Sequence, residues 1–201
     1  MDDVRTRVLT AATELFAELG YDATSVQQVV NRAGVTKGAL YHYFSSKEEL
    51  LFEIYGSVIA EQLAGLDRVL AQEMAPVPTL RAIIADVVET TAEHSLATAV
   101  FTRERTKLNL EHWHALQAQW RRYQDTVRGV IRDAQASGDF AAVASPEVIS
   151  WMIFGVTSTM PTWYRPDGPK KAAEIADEIC AVVFAALAPS TSDSLTSDRK
   201  N

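Results

Sequence analysis

Apolar residues in this chain return every three or four positions from Val8 to Ala186, and no β-branched run alternates with polar residues between turns. That rhythm admits helices and excludes a sheet. Val8, Ala12, Leu15, Phe16 and Leu19 share one face of a helix over 3–20, and Gly20 suits the left-handed position past its end. Val26, Val29, Val30 and Ala33 mark a short second helix that Gly34 closes. Leu40 and Phe44 are the inward residues of a third, Lys37 to Phe44. Ser46-x-x-Glu49 has the form of a capping box and opens a long helix from Lys47 to about Gln72. Pro76 and Pro78 then break the chain, and further helices are expected over about 79–94, 96–107, 111–136, 146–162 and 170–188. Residues 189–201, rich in Ser, Thr and Asp, read as a disordered tail. The expectation is an all-α chain of about nine helices, with a three-helix unit over 1–48 and a larger helical unit over 49–188.

Composition narrows the function classes. With 47% hydrophobic and 22% charged residues, the chain falls outside the collagen-like and disordered ranges. No apolar run approaches the ~18 residues of a membrane span, and the opening MDDVRTRVLT lacks an apolar signal core. No membrane partner and a cytoplasmic location are therefore expected. The single cysteine, Cys180, excludes an intramolecular disulfide and a cysteine-rich metal site. GxSxG, HExxH and a phosphate-cradling glycine loop are all missing, and Glu111-x-x-His114 lacks a third ligand of matching context. The expectation is no enzyme, no cofactor and no metal.

The informative stretch is SVQQVVNRAGVTKGALYHYFSSK, residues 25–47. Two short helices joined by a Gly-containing turn form a helix-turn-helix, whose second helix enters the major groove of double-stranded DNA. A Gly turn alone would fit any short helical hairpin. It leaves unexplained a seven-residue helix with polar aromatics and a lysine on its outer face. Ser25 and Thr36 cap helix starts where amides and hydroxyls meet phosphate oxygens, with Gln27 and Gln28 beside Ser25 in the DNA-facing set. Lys37 stands in the first turn of the second helix, within reach of guanine O6 and N7. Gly38 and Ala39 permit close backbone approach. Tyr41, His42 and Tyr43 offer polar groups to phosphates, and Lys47 adds a point charge one turn later. The net charge is −7, and residues 1–50 carry five basic against seven acidic groups. DNA binding here must come from a few placed cations, not a broad basic field.

Over these residues the chain resembles the TetR family of bacterial transcriptional regulators. The matching run is Gly34-Val35-Thr36-Lys37-Gly38-Ala39-Leu40-Tyr41-His42-Tyr43-Phe44, then Ser46-Lys47-Glu48-Glu49-Leu50-Leu51, with Leu15 to Val26 matching the first helix and its exit. The resemblance implies a homodimer on a palindromic operator, with a C-terminal helical domain that dimerises and takes a small-molecule effector. Farther on, Trp163-Tyr164-Arg165-Pro166-Asp167-Gly168-Pro169 looks like an element of relatives that respond to acyl-coenzyme A thioesters.

The C-terminal residues read two ways on their own. Phe101, Trp113, Trp120, Tyr123, Trp151, Phe154 and Trp163 form either plain core or the walls of a ligand pocket, with Asn109, Thr157 and Tyr164 as its polar groups. Arg103, Arg105 and Lys107 are a solvated face or an anion clamp at the pocket mouth, Arg105 foremost. Trp151 with Ile175, Ile179, Val182, Val183 and Ala186 are expected at a four-helix dimer interface. The expectation is a ligand-responsive repressor with an acyl-coenzyme A thioester as first effector. A multidrug-type sensor, a constitutive DNA-binding protein, and a helical carrier or enzyme for a hydrophobic acid stay open beside it.

Overall fold

Side chains cap the starts of three of the four N-terminal helices. In the computed structural model, which describes residues 3–189, α1 runs Val4–Leu19, α2 Val26–Ala33, α3 Lys37–Tyr43 and α4 Lys47–Leu70. Ser25 and Gln28 close a full capping box on α2, and the Thr36 hydroxyl accepts from Ala39 N at the start of α3. The box expected at α4 is only half built. Ser46 accepts from Glu49 N, but the Glu49 carboxylate reaches Ser45 instead. Gly34 turns the chain between α2 and α3 at φ 62, a conformation costly for any residue with a Cβ. The Arg7 guanidinium donates to Ala33 O at 2.8 Å and Gly34 O at 2.7 Å, satisfying carbonyls that the end of α2 leaves free.

The remaining helices are α5 (Pro76–Glu93), α6 (Ser95–Glu104), α7 (Leu110–Ala136), α8 (Pro146–Trp163) and α9 (Ala172–Leu187), with a 3-10 turn over Arg105–Lys107. Among the described residues there are nine α-helices and no strand, as the periodicity requires. One boundary differs. Pro76 and Pro78 do not break the chain before α5 but form its first turn, where a missing N–H costs no helical hydrogen bond. The expected tail falls almost wholly outside the described residues.

Two apolar cores share α4. Its first half sets Leu50, Leu51, Ile54 and Val58 against α1–α3 and against Ala97 and Val100 of α6. Its second half sets Ile59, Leu63, Leu66 and Val69 against α5, α7, α8 and α9. A displacement of α4 or α6 therefore reaches both cores. Among the described residues, no helix is long and apolar enough to cross a membrane.

Candidate DNA-binding face and effector cavity

Four of the five cations in residues 1–50 are engaged by the protein itself. Arg5 pairs with Glu53, and Arg7 holds the end of α2. Arg32 meets Glu14 and Glu18, an interaction that pulls the Glu18 carboxyl below its usual range. Lys47 donates to Tyr21 O at 2.8 Å and Thr24 O at 2.9 Å, with its ammonium 4.2 Å from the centre of the Tyr21 ring. The point charge expected for phosphate is thus tied into the loop between α1 and α2. Lys37 stands apart on the exposed face of α3, its nearest aromatic partner the Tyr41 ring at 5.9 Å. Around it Ser25, Gln27, Gln28, Thr36, Gly38, Tyr41, His42 and Tyr43 are exposed, and Ala39 is half-buried. Gln28 Oε1 accepts from Ser25, and Gln27 donates to Asn31, so both glutamines are held in place on this face.

The basic cluster at the end of α6 does not form a clamp. The Arg103 guanidinium reaches Phe16 O and Ala17 O at the end of α1, and its Nε donates to Glu104 at 2.8 Å. Buried Glu104 accepts from Tyr21 N, and Lys107 pairs with Asp22, which raises the lysine's pKa. Arg105 alone turns the other way, toward Trp113, whose ring centre lies 5.9 Å from its guanidinium carbon. Asn109, expected at the effector, instead caps α7 and donates to Glu48, which also meets His112 Nδ1 at 2.9 Å. Residues 103–112 thereby bolt the C-terminal helices to α1 and to the start of α4.

Beneath α6 lies a cavity of about 430 Å3, within the usual size of small-molecule sites. Of the residues expected there, Phe101, Arg105, Trp113, Trp120, Trp151, Phe154 and Thr157 do line it. Tyr123 is buried behind the wall, with Trp120 stacked on it at 5.6 Å. Trp163 and Tyr164 border a separate cleft of about 450 Å3 against α9, together with Arg165 and Lys170. Sequence reasoning missed Tyr55, Gln62, Thr91, Thr98, Gln117 and Gln124 in the lining. A signal existed, because Gln62 follows Val58 by four and Thr91 follows Val87 by four, polar residues in an apolar row. Burial pushes the Tyr55 phenol up to about 12, so it is a neutral hydroxyl at physiological pH. Arg105 is the one charged residue of the lining, and no carboxylate faces it.

On the outer face of α8, Val148, Trp151, Met152, Val156 and Trp163 are exposed, as is Val182 on α9. Ala186 is exposed as well, whereas Ile179 and Val183 pack partly against the protomer's own core and Ile175 is buried in it. Elsewhere, Glu61, Glu93 and His94 bring three possible ligand atoms within 4.8 Å of one another on the surface. His94 Nε2 already meets Glu61 at 2.7 Å, and nothing in that acidic cluster calls for an ion.

Residues 8–54 match the family model of bacterial regulatory proteins, tetR family, and residues 73–187 that of the tetracyclin repressor-like C-terminal domain. The chain is 26% identical to the HTH-type transcriptional repressor KstR2 of Rhodococcus jostii over 92% of its own length and 91% of the relative's. The crystal structure of the regulator PfmR from Thermus thermophilus superimposes with a TM-score of 0.83 at 30% identity, covering 90% of this chain and 98% of that one. The structure of AibR in complex with isovaleryl coenzyme A and operator DNA gives a TM-score of 0.79 at 26% identity, over 90% and 98% of the two chains.

Proposed function

The chain belongs to the TetR family of bacterial regulatory proteins, and from that premise we propose that it is a repressor released from a palindromic operator by a small effector. In this reading residues 1–48 meet DNA, as a homodimer, and 49–188 bind the effector and dimerise. One observation carries it. Helix α6 walls the cavity through Thr98, Phe101 and Thr102, and the residues just after its last apolar turn hold the end of α1. A molecule that moves α6 to fit therefore moves the frame on which α2 and α3 stand. DNA requires the two recognition helices about one duplex turn apart, ~34 Å. A ligand that favours another spacing shifts the population away from DNA, and DNA weakens the ligand by the same factor.

The lining favours a neutral or anionic effector. A cation entering this cavity would leave water without a carboxylate to meet it, next to the Arg105 charge. An acyl-coenzyme A thioester is the first candidate, with its acyl chain among the aromatic walls and its charged part outside, near Arg105. The likeness to AibR supports that choice. Operator release, followed by gel shift, is to be titrated with acyl-coenzyme A thioesters and with the matching free acids. Release by thioesters is expected. Arg105→Ala should raise the concentration needed about tenfold, one charge-assisted hydrogen bond, and leave operator affinity unchanged. Release by a cationic drug, with none by any thioester or acid, would overturn the reading.

A further inference from the structure

Among the polar groups that line the cavity, the Thr98 hydroxyl is unusual. Thr98 is 8% exposed, and its Oγ1 is buried with no hydrogen-bond partner. Threonines in helices ordinarily return the hydroxyl proton to the carbonyl four residues back. Thr13, Thr102, Thr126 and Thr157 all do so here, but Thr98 does not bond His94 O in this way. Two further buried polar side chains face the same space, Gln62 at 6% and Thr91 at 3% exposure, joined only by a long 3.5 Å contact. An unpartnered buried hydroxyl is unfavourable unless something occupies its bonding direction. Thr98 lines the cavity, so a modest shift of its side chain would bring the hydroxyl to a bound molecule.

Thr98 and Arg105 both line that cavity; Arg105 stands just past the end of α6, seven residues after Thr98, so their backbones are ~10 Å apart. Resting on the effector reading above, we infer that Thr98 is a specificity residue for a second oxygen function of the effector. The ligand class is then a mostly apolar molecule with an anionic or polar end at Arg105 and a hydroxyl or carbonyl oxygen about two helical turns away, at Thr98 and Gln62. A plain saturated chain fills the same walls but leaves Thr98 unsatisfied.

The test uses the full chain, its cavity tryptophans Trp113, Trp120 and Trp151 as fluorescent reporters, and four probes: octanoate, decanoate, 8-hydroxyoctanoate and 10-hydroxydecanoate. In the wild type, at least one hydroxylated acid should bind as tightly as its saturated parent or more so, despite the hydration its hydroxyl gives up. Thr98→Val keeps the shape and removes the hydroxyl. It should lower the affinity for that hydroxy acid about tenfold while leaving its parent within twofold. Because this hydroxyl bonds nothing in the protein, the variant should melt at or above the wild-type temperature. An unchanged ratio of the two affinities in Thr98→Val would overturn the inference while leaving the effector site standing, and so would a much lower melting temperature, which would reveal a structural role. If none of the four acids perturbs the tryptophans of the wild type, this inference is overturned, while the effector reading stands or falls on the thioester titration above.

Discussion

At the scale of single residues, two lysines ten positions apart have different tasks. Lys37 projects from α3 with no protein carboxylate or carbonyl engaged, whereas Lys47 carries two backbone carbonyls and covers the Tyr21 ring. Lys37→Ala should leave the melting temperature unchanged and weaken operator binding by about 1–3 kcal/mol, the worth of a base contact. Lys47→Ala should cost about 2 kcal/mol of stability, since Tyr21 O and Thr24 O both lose a charged donor. Thermal melting and gel shift on the same two proteins check the pair. Equal operator affinity in Lys37→Ala and the wild type would remove α3 as the recognition helix. The acidic balance of residues 1–50 has the same explanation. Arg5, Arg7, Arg32 and Lys47 are structural cations, so among the described residues of this segment Lys37 is the cation left for the proposed recognition, beside a set of polar groups.

Among elements, α6 stands between the cavity and α1, against which α2 and α3 pack. Arg103 supplies donors to Phe16 O and Ala17 O, carbonyls at the end of α1. Arg103→Ala should cut that tie without touching the cavity lining. The expected outcome is an unchanged ligand affinity for DNA-free protein and at least a fivefold rise in the ligand needed for operator release, a loss of about 1 kcal/mol of coupling. Unchanged release would place the coupling elsewhere, for example in the contact of Glu48 with Asn109 and His112. This element also shows where sequence reading succeeds and fails. Helix starts at Ser25, Thr36, Ser46 and Ser145 are legible because a cap is a local hydrogen bond between neighbours in sequence. The start of α5 is not, because a proline in a first turn resembles a proline that ends a helix. Size alone leaves the aromatics open between core and wall: Phe101, Trp113, Trp120, Trp151 and Phe154 line the cavity, whereas Tyr123 and Trp163 do not. Gln62 and Thr91 leave a faint signal as polar residues in an apolar row, but that they face a cavity shows only once the facing helices are known, and Thr98 leaves none. Arg103, Lys107 and Asn109 cluster in sequence yet point to α1 and α4, a direction that spacing along one helix does not fix.

For the whole molecule, the proposed function requires two copies of α3 to be held at a fixed spacing. The segment from Ser145 to Tyr164 contains no Lys or Arg, and α8 exposes Val148, Trp151, Met152 and Val156 along one face. On α9, Val182 is 68% exposed while Ile175 and Cys180 are buried in the protomer. An exposed apolar row of this kind on α8, with Val182 on α9, marks an interaction surface. Two copies related by a two-fold axis would cover it with the same residues from each side, which is how closed dimers are built. Trp151 belongs both to that face and to the cavity lining, so in the proposed reading effector binding and subunit spacing would share a side chain. Light scattering at micromolar concentration should therefore give twice the chain mass of 22.1 kDa. The double variant Val156→Glu with Val182→Glu places charges on side chains that touch no core, so each protomer should keep its helical signal. It should scatter as a single chain and lose operator affinity by roughly a hundredfold or more, because two half-site contacts no longer act as one. A wild-type mass of one chain, or a double variant that stays dimeric, would move the interface off α8 and α9.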